Sequence, residues 1–205
     1  QPLSLQPVQA GPVYWIRNIV WNAGGGKMTL KNNNGAQVLV FLHNTSSTHM
    51  KMPPNIGQKP AQGTWMLQNN LSIGPAGNLL LTEYCPRAVH DRQIIGHNAY
   101  NQGSSTAPCK VGEKTYPSLD DMRKATGYEQ GSLFVDGYNI FTNAPEPPHT
   151  KRGTPLVRPW DLDLTLKPTG PAVDAGAVLP GINDDFTGKA PDIGKALQKP
   201  LVIRD

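Results

Sequence analysis

The densest mix of ionisable side chains in the sequence falls within one short stretch. Its members are Tyr84, Arg87, His90, Asp91 and Arg92. Arginine can hold a carboxylate at two points, and tyrosine or histidine can act as a base once its surroundings tune its proton affinity. The stretch is therefore a candidate site for an acidic ligand or a source of a catalytic base, whereas a solvated turn with local ion pairs is the interpretation that we favour.

A second basic candidate lies earlier in the chain. His49 and Lys51 belong to a loop that also contains Pro53 and Pro54. Imidazole and ammonium groups side by side could contact an anionic ligand, and a solvated loop remains the alternative that the prolines favour. We take both residues as weak candidates for ligand binding.

Carboxylates dominate the tail of the chain. They are Asp174, Asp184, Asp185 and Asp192. Hard oxygen ligands suit Ca²⁺, but aspartates that alternate with glycine and proline commonly bond their own backbone in turns. We predict structural turns and no bound cofactor, with Ca²⁺ as the cation these residues would suit. The sequence contains no metal-spaced Cys/His set, nucleophile elbow or phosphate-binding loop.

A repeat in the first hundred residues would position these side chains. Its four asparagines are 26, 26 and 28 residues apart: Asn18, Asn44, Asn70 and Asn98. Three positions before each lies an apolar residue: Trp15, Phe41, Leu67 and Ile95. A period in the mid-twenties fits one coil of a solenoid. We expect the asparagines to stack in register about 4.8 Å apart and the apolar residues to form a buried column.

The residues just before these asparagines form a further polar set. They are Arg17, His43, Asn69 and His97. Stacked coils would align them in one line that could track a linear polar ligand. The interpretation that we favour is a row of turn residues bonded to the neighbouring coil, because a recurring turn selects residues that tolerate left-handed backbone geometry.

Composition agrees with short strands. Glycine and proline number 21 and 20, and charged residues make up 17%, which is below the roughly 25% typical of soluble domains. The net charge of +4 is mild and no Lys/Arg block occurs, so we predict no nucleic-acid partner, whereas a polyanionic glycan stays open. No run of 18 apolar residues exists, and we predict no membrane span.

Local patterns in the second half predict one helix and two strands. Ser118 and Gly127 are suited to cap a helix over residues 118–126. Residues 133–135 and 162–166 read as strands, the second because its leucines alternate with polar residues.

We expect a single domain made of two regions. Residues 1–116 would form β-helix coils, and residues 117–205 would pack on the same coils. The second region includes a proline-rich surface excursion over 144–160 and a turn-rich tail over 174–194.

The two cysteines bracket a loop with little core of its own. Cys85 and Cys109 are the only cysteines in the sequence. Exported proteins commonly staple such loops, so we predict a disulfide between them.

Three segments of the repeat resemble coils of bacterial right-handed parallel β-helix proteins. These segments are residues 11–22, 41–45 and 67–71. Parts of the tail resemble the closing segment of many such proteins: residues 172–176, 182–188 and 190–194. This broad group includes polysaccharide lyases and glycoside hydrolases. The resemblance implies an all-β right-handed parallel β-helix, with one short helix and a turn-rich closing segment, and a carbohydrate leaning.

The resemblance implies a secreted or cell-surface protein that binds or processes a polysaccharide. If the protein is an enzyme, a lyase acting on acidic glycans is favoured over a hydrolase, because cationic clusters are present and no pair of carboxylates stands out in the coils. No catalytic residue is assigned. The alternative is a non-catalytic cell-surface, fibre or extracellular-matrix structural protein.

The N-terminal end of the repeat carries an expectation of its own. Several coils and a cap usually precede the part matched here, whereas residues 1–11 contain prolines and no helical period. We expect the coil edge around 13–20 to pair with another polypeptide or copy, or to be left open because upstream coils are missing.

Overall fold

The computed structural model is rich in strands and has one α-helix among the residues that it describes. It describes residues 3–5, 9–21, 30–32, 36–47, 51–52, 64–74, 79–81, 93–101, 109–111, 114–144, 146 and 162–194. The prediction of a strand-rich chain with parallel sheets and one short helix is confirmed within these residues. None of the helices in these ranges is long and apolar enough to cross a membrane.

Short strands of two to eight residues account for most of the regular structure. In chain order the strands are β1 (Leu3–Leu5), β2 (Gln9–Ile16), β3 (Ile19–Val20), β4 (Leu30–Asn32), β5 (Ala36–Leu42), β6 (Thr45–Ser46), β7 (Lys51–Met52), β8 (Thr64–Gln68), β9 (Leu71–Ser72), β10 (Leu79–Leu81), β11 (Gln93–Gly96), β12 (Ala99–Asn101), β13 (Cys109–Val111), β14 (Lys114–Tyr116), β15 (Leu133–Val135), β16 (Phe141–Asn143) and β17 (Asp163–Leu166). The helix α1 spans Leu119–Thr126, and a 3-10 helix spans Gly137–Ile140.

Two sheets take one strand from each successive repeat, and a third sheet takes β7, β10 and β13 from three successive repeats. The first sheet has the order β11-β8-β5-β2, and the second has the order β15-β12-β9-β6-β3. The third has the order β14-β13-β10-β7, in which only the β13–β14 pair is antiparallel. A separate parallel pair joins β1 to β4, and an antiparallel pair joins β16 to β17. The chain therefore returns to the same sheet once in every repeat.

The inward face of the first sheet belongs to one of two buried apolar clusters among the described residues. Trp15 pairs with Phe41, Phe41 with Leu67, and Leu67 with Ile95, in strict register. The last three side chains are buried, and Trp15 at the sheet edge is partly buried. The predicted buried column is thus confirmed for three of its four members, and the fourth is less covered because no further strand lies beside it in the described part of the chain.

The outward face of the same sheet carries a second apolar column. Its members lie one residue before the core column and are in register: Tyr14, Val40, Met66 and Ile94. We call this set the outer column. Tyr14 is 62% exposed and Ile94 is 49% exposed, so the column has solvent-accessible apolar groups at both ends.

The helix follows its predicted bounds. The Ser118 Oγ accepts from the Asp121 N–H at 3.1 Å, and Gly127 ends the helix in the left-handed conformation with φ 75°. Leu119 and Met122 are buried against the core column. The prediction of a capped helix over 118–126 is confirmed.

The second region shares a sheet with the first. Strand β15 pairs with β12 and so adds a fifth strand to the second sheet. Both predicted strands, 133–135 and 162–166, are confirmed, and β17 shows the expected alternation of buried leucines with partly exposed residues. The tail over 174–194 consists of turns and bends, as predicted. Most of the proline-rich excursion lies outside the described residues.

Truncation of the central core side chain tests this register. We expect Phe41→Ala to lower the free energy of unfolding by about 3–5 kcal/mol, because a buried phenylalanine leaves a cavity. Ile94→Ala, on the half-exposed outward face, is the matched control and should cost less than about 1 kcal/mol. Urea unfolding of the three proteins provides the measurement. Equal losses in both variants would contradict the assigned facing of the sheet.

Candidate functional site

A recurring two-residue turn connects the first sheet to the second. Its first residue has positive φ in four successive repeats: Arg17 (58°), His43 (53°), Asn69 (59°) and His97 (50°). Single left-handed residues bend the chain sharply, which lets the next strand start a new sheet. We call these four residues the corner column. They are turn residues, as predicted.

The second residue of each turn belongs to an asparagine ladder. Asn18 donates both its backbone N–H and its Nδ2 to the Asn44 Oδ1, each at 3.0 Å. Asn44 repeats both contacts to the Asn70 Oδ1, at 3.0 and 3.0 Å. Asn70 repeats them to the Asn98 Oδ1, at 2.9 and 3.0 Å. The prediction that these four asparagines stack in register is confirmed.

Each buried amide in the ladder also binds the core column. The Nδ2 groups of Asn44, Asn70 and Asn98 donate to the carbonyls of Trp15, Phe41 and Leu67, at 2.9, 2.9 and 3.0 Å. Every such amide therefore uses two donors and its oxygen. Because an unpaired buried polar group costs about 1–3 kcal/mol, the ladder constrains the register of every repeat.

One end of the ladder is capped by a buried acid. Asn98 donates its backbone N–H to the Ser132 Oγ at 2.8 Å and its Nδ2 to the Glu129 Oε2 at 3.2 Å. Glu129 also accepts from the Tyr100 hydroxyl at 2.7 Å and from Ser132. Burial raises the pKa of Glu129 above its ordinary value, even though these donors favour the anion. At the opposite end, the Asn18 Oδ1 accepts no hydrogen bond from the described residues.

The corner column binds the tail of the same chain. Arg17 contacts the Asp185 carboxylate through both terminal nitrogens and donates to the Ile182 carbonyl at 2.9 Å. The Nε2 atom of His43 lies 2.9 Å from the Asn69 Nδ2 and 2.7 Å from the Asn183 Nδ2. His43 is buried under this cover.

The other two residues of the corner column, Asn69 and His97, also contact the tail. Asn69 binds Ala177 twice, accepting from its N–H at 2.7 Å and donating to its carbonyl at 2.8 Å. His97 places its Nδ1 3.1 Å from the Ala175 carbonyl. The predicted polar line therefore exists, but tail residues 175–185 occupy it. His43, predicted as a ligand-binding residue, binds Asn69 and Asn183 in this structure.

Glycines let the tail approach the turns closely. Gly194 donates its N–H to the Asn69 carbonyl at 2.7 Å, and an added Cβ there would lie 2.6 Å from the Leu71 Cβ. Gly194 also has φ 87°, which disfavours any side chain. A larger residue would displace this part of the tail from the turns.

Three of the four acidic tail residues bond the backbone of the tail itself, and the fourth, Asp185, bonds the corner column. The Asp174 Oδ1 accepts from the Lys189 N–H at 3.1 Å, and the Asp192 Oδ1 accepts from the Asp174 N–H at 3.0 Å. Asp184 accepts from the Gly181 N–H at 2.6 Å, and Asp185 pairs with Arg17. No group of three or more His, Cys, Asp or Glu with metal-binding geometry occurs among the described residues. The contacts support the interpretation of Asp174, Asp184 and Asp192 as structural turn residues.

The remaining predicted site residues are mostly beyond the described ranges. Those outside them are His49, Tyr84, Cys85, Arg87, His90 and Arg92. Lys51 lies in strand β7 and not in a loop as predicted. Cys109 is buried, and burial raises the pKa of its thiol to about 12. The pairing with Cys85 stays a prediction that thiol counting on the unreduced, denatured protein can test.

Glu129, Ser132 and Asn183 were not among the predicted residues. Ser132 takes the ladder position of asparagine in the fifth repeat, 34 residues after Asn98 because α1 is inserted. The Gly131-Ser132 pair before β15 was the sequence signal for this repeat, because glycine suits the left-handed first position of the turn. Gly131 indeed has positive φ (70°).

The ladder predicts unequal costs for two identical substitutions. Asn70→Ala should lower the free energy of unfolding by about 2–4 kcal/mol, because two buried donors of Asn44 lose their acceptor and the Phe41 carbonyl loses one hydrogen bond. Asn18→Ala removes an end member and should cost at least about 1 kcal/mol less. Chemical denaturation of both variants is the test. A smaller loss for Asn70→Ala than for Asn18→Ala would refute the ladder as a constraint.

Glu129 predicts a pH dependence of stability. A raised pKa in the folded state means that folding favours the protonated acid, so its contribution is complete below the ordinary glutamate value and is lost as pH rises through the raised value. We expect the wild type to lose stability relative to Glu129→Gln as pH rises from about 4.5. The slope should not exceed about 1.4 kcal/mol per pH unit. Urea unfolding between pH 4 and 8 provides the comparison, and parallel curves would contradict it.

No protein-family description, curated protein or solved structure matches this chain at a significant level.

Proposed function

We propose that the three parallel sheets are the faces of a right-handed parallel β-helix. Each repeat supplies one strand to the first and second sheets, with the same register at every step. Connections between parallel strands of one sheet are right-handed in nearly all known cases. The asparagine ladder and the left-handed corner support this winding, because both recur at equivalent places in successive repeats.

On this architecture we propose a secreted or cell-surface protein that binds a polysaccharide along the outer column. The exposure of Tyr14 and Ile94 in a registered apolar column carries the proposal. Sugar rings have apolar C–H faces, and tyrosine offers an aromatic ring with a polar tip. Regularly spaced contacts along one axis suit a linear repeating ligand. The net charge of +4 favours an acidic glycan.

The outer column is the preferred site for a glycan because the tail already occupies the corner column. Arg17 pairs with Asp185, and His43 is buried against Asn183. A glycan would therefore have to displace the tail before it reached the corner. If the protein also acts on its glycan, we propose lyase chemistry with a base from Tyr84, His90 or the neighbouring arginines, as their residue types suggest.

A structural role is the second candidate, and the open end of the ladder favours it. Strands β2 and β3 are edge strands of the first and second sheets, and the Asn18 Oδ1 lacks a donor among the described residues. An unpaired edge is a template for further strand pairing. A coil from another polypeptide or another copy could continue the stack there, as in a fibre or matrix protein.

Glycan binding is tested by affinity electrophoresis in gels that contain polygalacturonate, alginate or neutral dextran. We expect retardation in the acidic gels, and about three- to tenfold weaker binding for Tyr14→Ala through loss of the ring contact. Val178→Ala is the matched control, since Val178 is a 52% exposed apolar residue of the tail. Unretarded wild type, or equal effects of both substitutions, would overturn the proposal. Concentration-dependent assembly without glycan binding would favour the structural role.

A further inference from the structure

The surroundings of His43 fix the role of one ring nitrogen. Its Nε2 atom faces two side-chain amide nitrogens, Asn69 Nδ2 at 2.9 Å and Asn183 Nδ2 at 2.7 Å. All three residues are buried. Each amide could present either its nitrogen or its oxygen to the ring. Its other hydrogen bonds decide between these two orientations.

Backbone contacts orient both amides independently of the histidine. The Asn69 Oδ1 accepts from the Ala177 N–H at 2.7 Å, and its Nδ2 donates to the Ala177 carbonyl at 2.8 Å. The Asn183 Oδ1 accepts from the Leu179 N–H at 2.7 Å, and its Nδ2 donates to the Ala177 carbonyl at 2.9 Å. Rotation of either amide would set N–H against N–H and oxygen against oxygen. Both amides must therefore present donors to the ring.

Two donors facing the Nε2 atom require an unprotonated nitrogen there. The neutral ring then carries its proton on Nδ1. A protonated imidazole has donors on both nitrogens, so its Nε2–H would point at two further N–H groups. Since the site is buried, water cannot relieve this conflict unless the tail moves away from the turn.

We propose that His43 is an acid-sensitive fastener that holds tail residues 177–183 against the coils and releases them when it takes up a proton. The segment 177–183 depends on this point because Ala177 and Leu179 are bound by the same two amides that face the ring. Opening would uncover the corner column, which carries Arg17, Asn69 and His97 beside His43.

Charged groups of the corner column and of the tail also act on the fastener. Arg17 lies one repeat away in the corner column, and Asp185 and Asp184 lie in the tail. Arg17 and Asp185 contact each other at two points, and Asp184 accepts from the Gly181 N–H. The positive and negative charges of the Arg17–Asp185 pair act on His43 in opposite directions. Both amide donors point at the Nε2 atom, so a proton on that nitrogen opposes both contacts and acid weakens the closed state.

His97 in the same column is an internal control. Its Nδ1 lies 3.1 Å from the Ala175 carbonyl, which only accepts hydrogen bonds. This contact already has a proton on Nδ1, so it places no second donor against the ring. Substitution of His97 should therefore leave the acid response of tail residues 177–183 unchanged.

Hydrogen–deuterium exchange of the full chain tests the fastener. Exchange of tail amides 177–183 is followed from pH 7.5 to 5 and corrected for the intrinsic rate. Exposed histidine takes up a proton near pH 6.5, so below that pH we expect opening to increase up to tenfold per pH unit in the wild type. His43→Gln keeps an acceptor that does not titrate and should stay within about twofold. His97→Gln should follow the wild type.

A flat wild-type profile would overturn the proposal, as would a His43→Gln variant that still opens in acid. If His43→Gln does not fold, the tautomer of the wild-type ring decides the question. Long-range ¹⁵N–¹H correlation at pH 7.5 should find His43 protonated at Nδ1 alone. A proton on Nε2 would refute the fastener, independently of whether the protein binds a glycan.

Discussion

The asparagine ladder is the interaction on which the rest of the structure depends. A buried primary amide has two donors and an acceptor to satisfy, and the interior offers it only the neighbouring repeat. Asn44 and Asn70 meet this requirement by binding the next asparagine and a core-column carbonyl together. A slip of one residue in any repeat would break both contacts and turn the core column toward solvent. The spacing of 26 residues is therefore held by polar geometry as well as by apolar burial.

The recurring turn between the first and second sheets also explains why the tail packs against the repeats. A left-handed turn places one side chain per repeat outside the ladder, where the chain must supply partners for it. The tail does so with the side chains of Asp185 and Asn183 and the backbone of Ala177 and Ala175. It has no regular secondary structure, yet its position is determined by a row of specific acceptors and donors. The contacts that hold the tail against the turns are therefore the same contacts that cover the corner column.

Much of this organisation could be predicted from the sequence, because it repeats. The asparagine period, the apolar residue three places earlier and the Ser118 cap are local signals, and each was found where expected. The partner of the corner column could not be predicted, since Arg17 and Asp185 are 168 residues apart and no local pattern links them. The fifth repeat was missed because serine replaces asparagine and α1 lengthens the spacing. The alternation of inward and outward side chains could not predict which way the corner-column residues point, because a left-handed turn interrupts that alternation.

The ladder also has a direction. Every asparagine donates toward the next repeat, so the side-chain amide dipoles point the same way and reinforce one another. The electropositive end of this chain of dipoles meets the oxygen-rich cap formed by Glu129 and Ser132, and the electronegative end is the Asn18 oxygen. The two ends are chemically different and cannot be exchanged. A neighbour that donates hydrogen bonds is matched to the Asn18 end, whereas a second asparagine placed against Glu129 would have to compete with Asn98 for an acceptor already in use. Elongation of such a stack would be polar, like the growth of a filament with unlike ends.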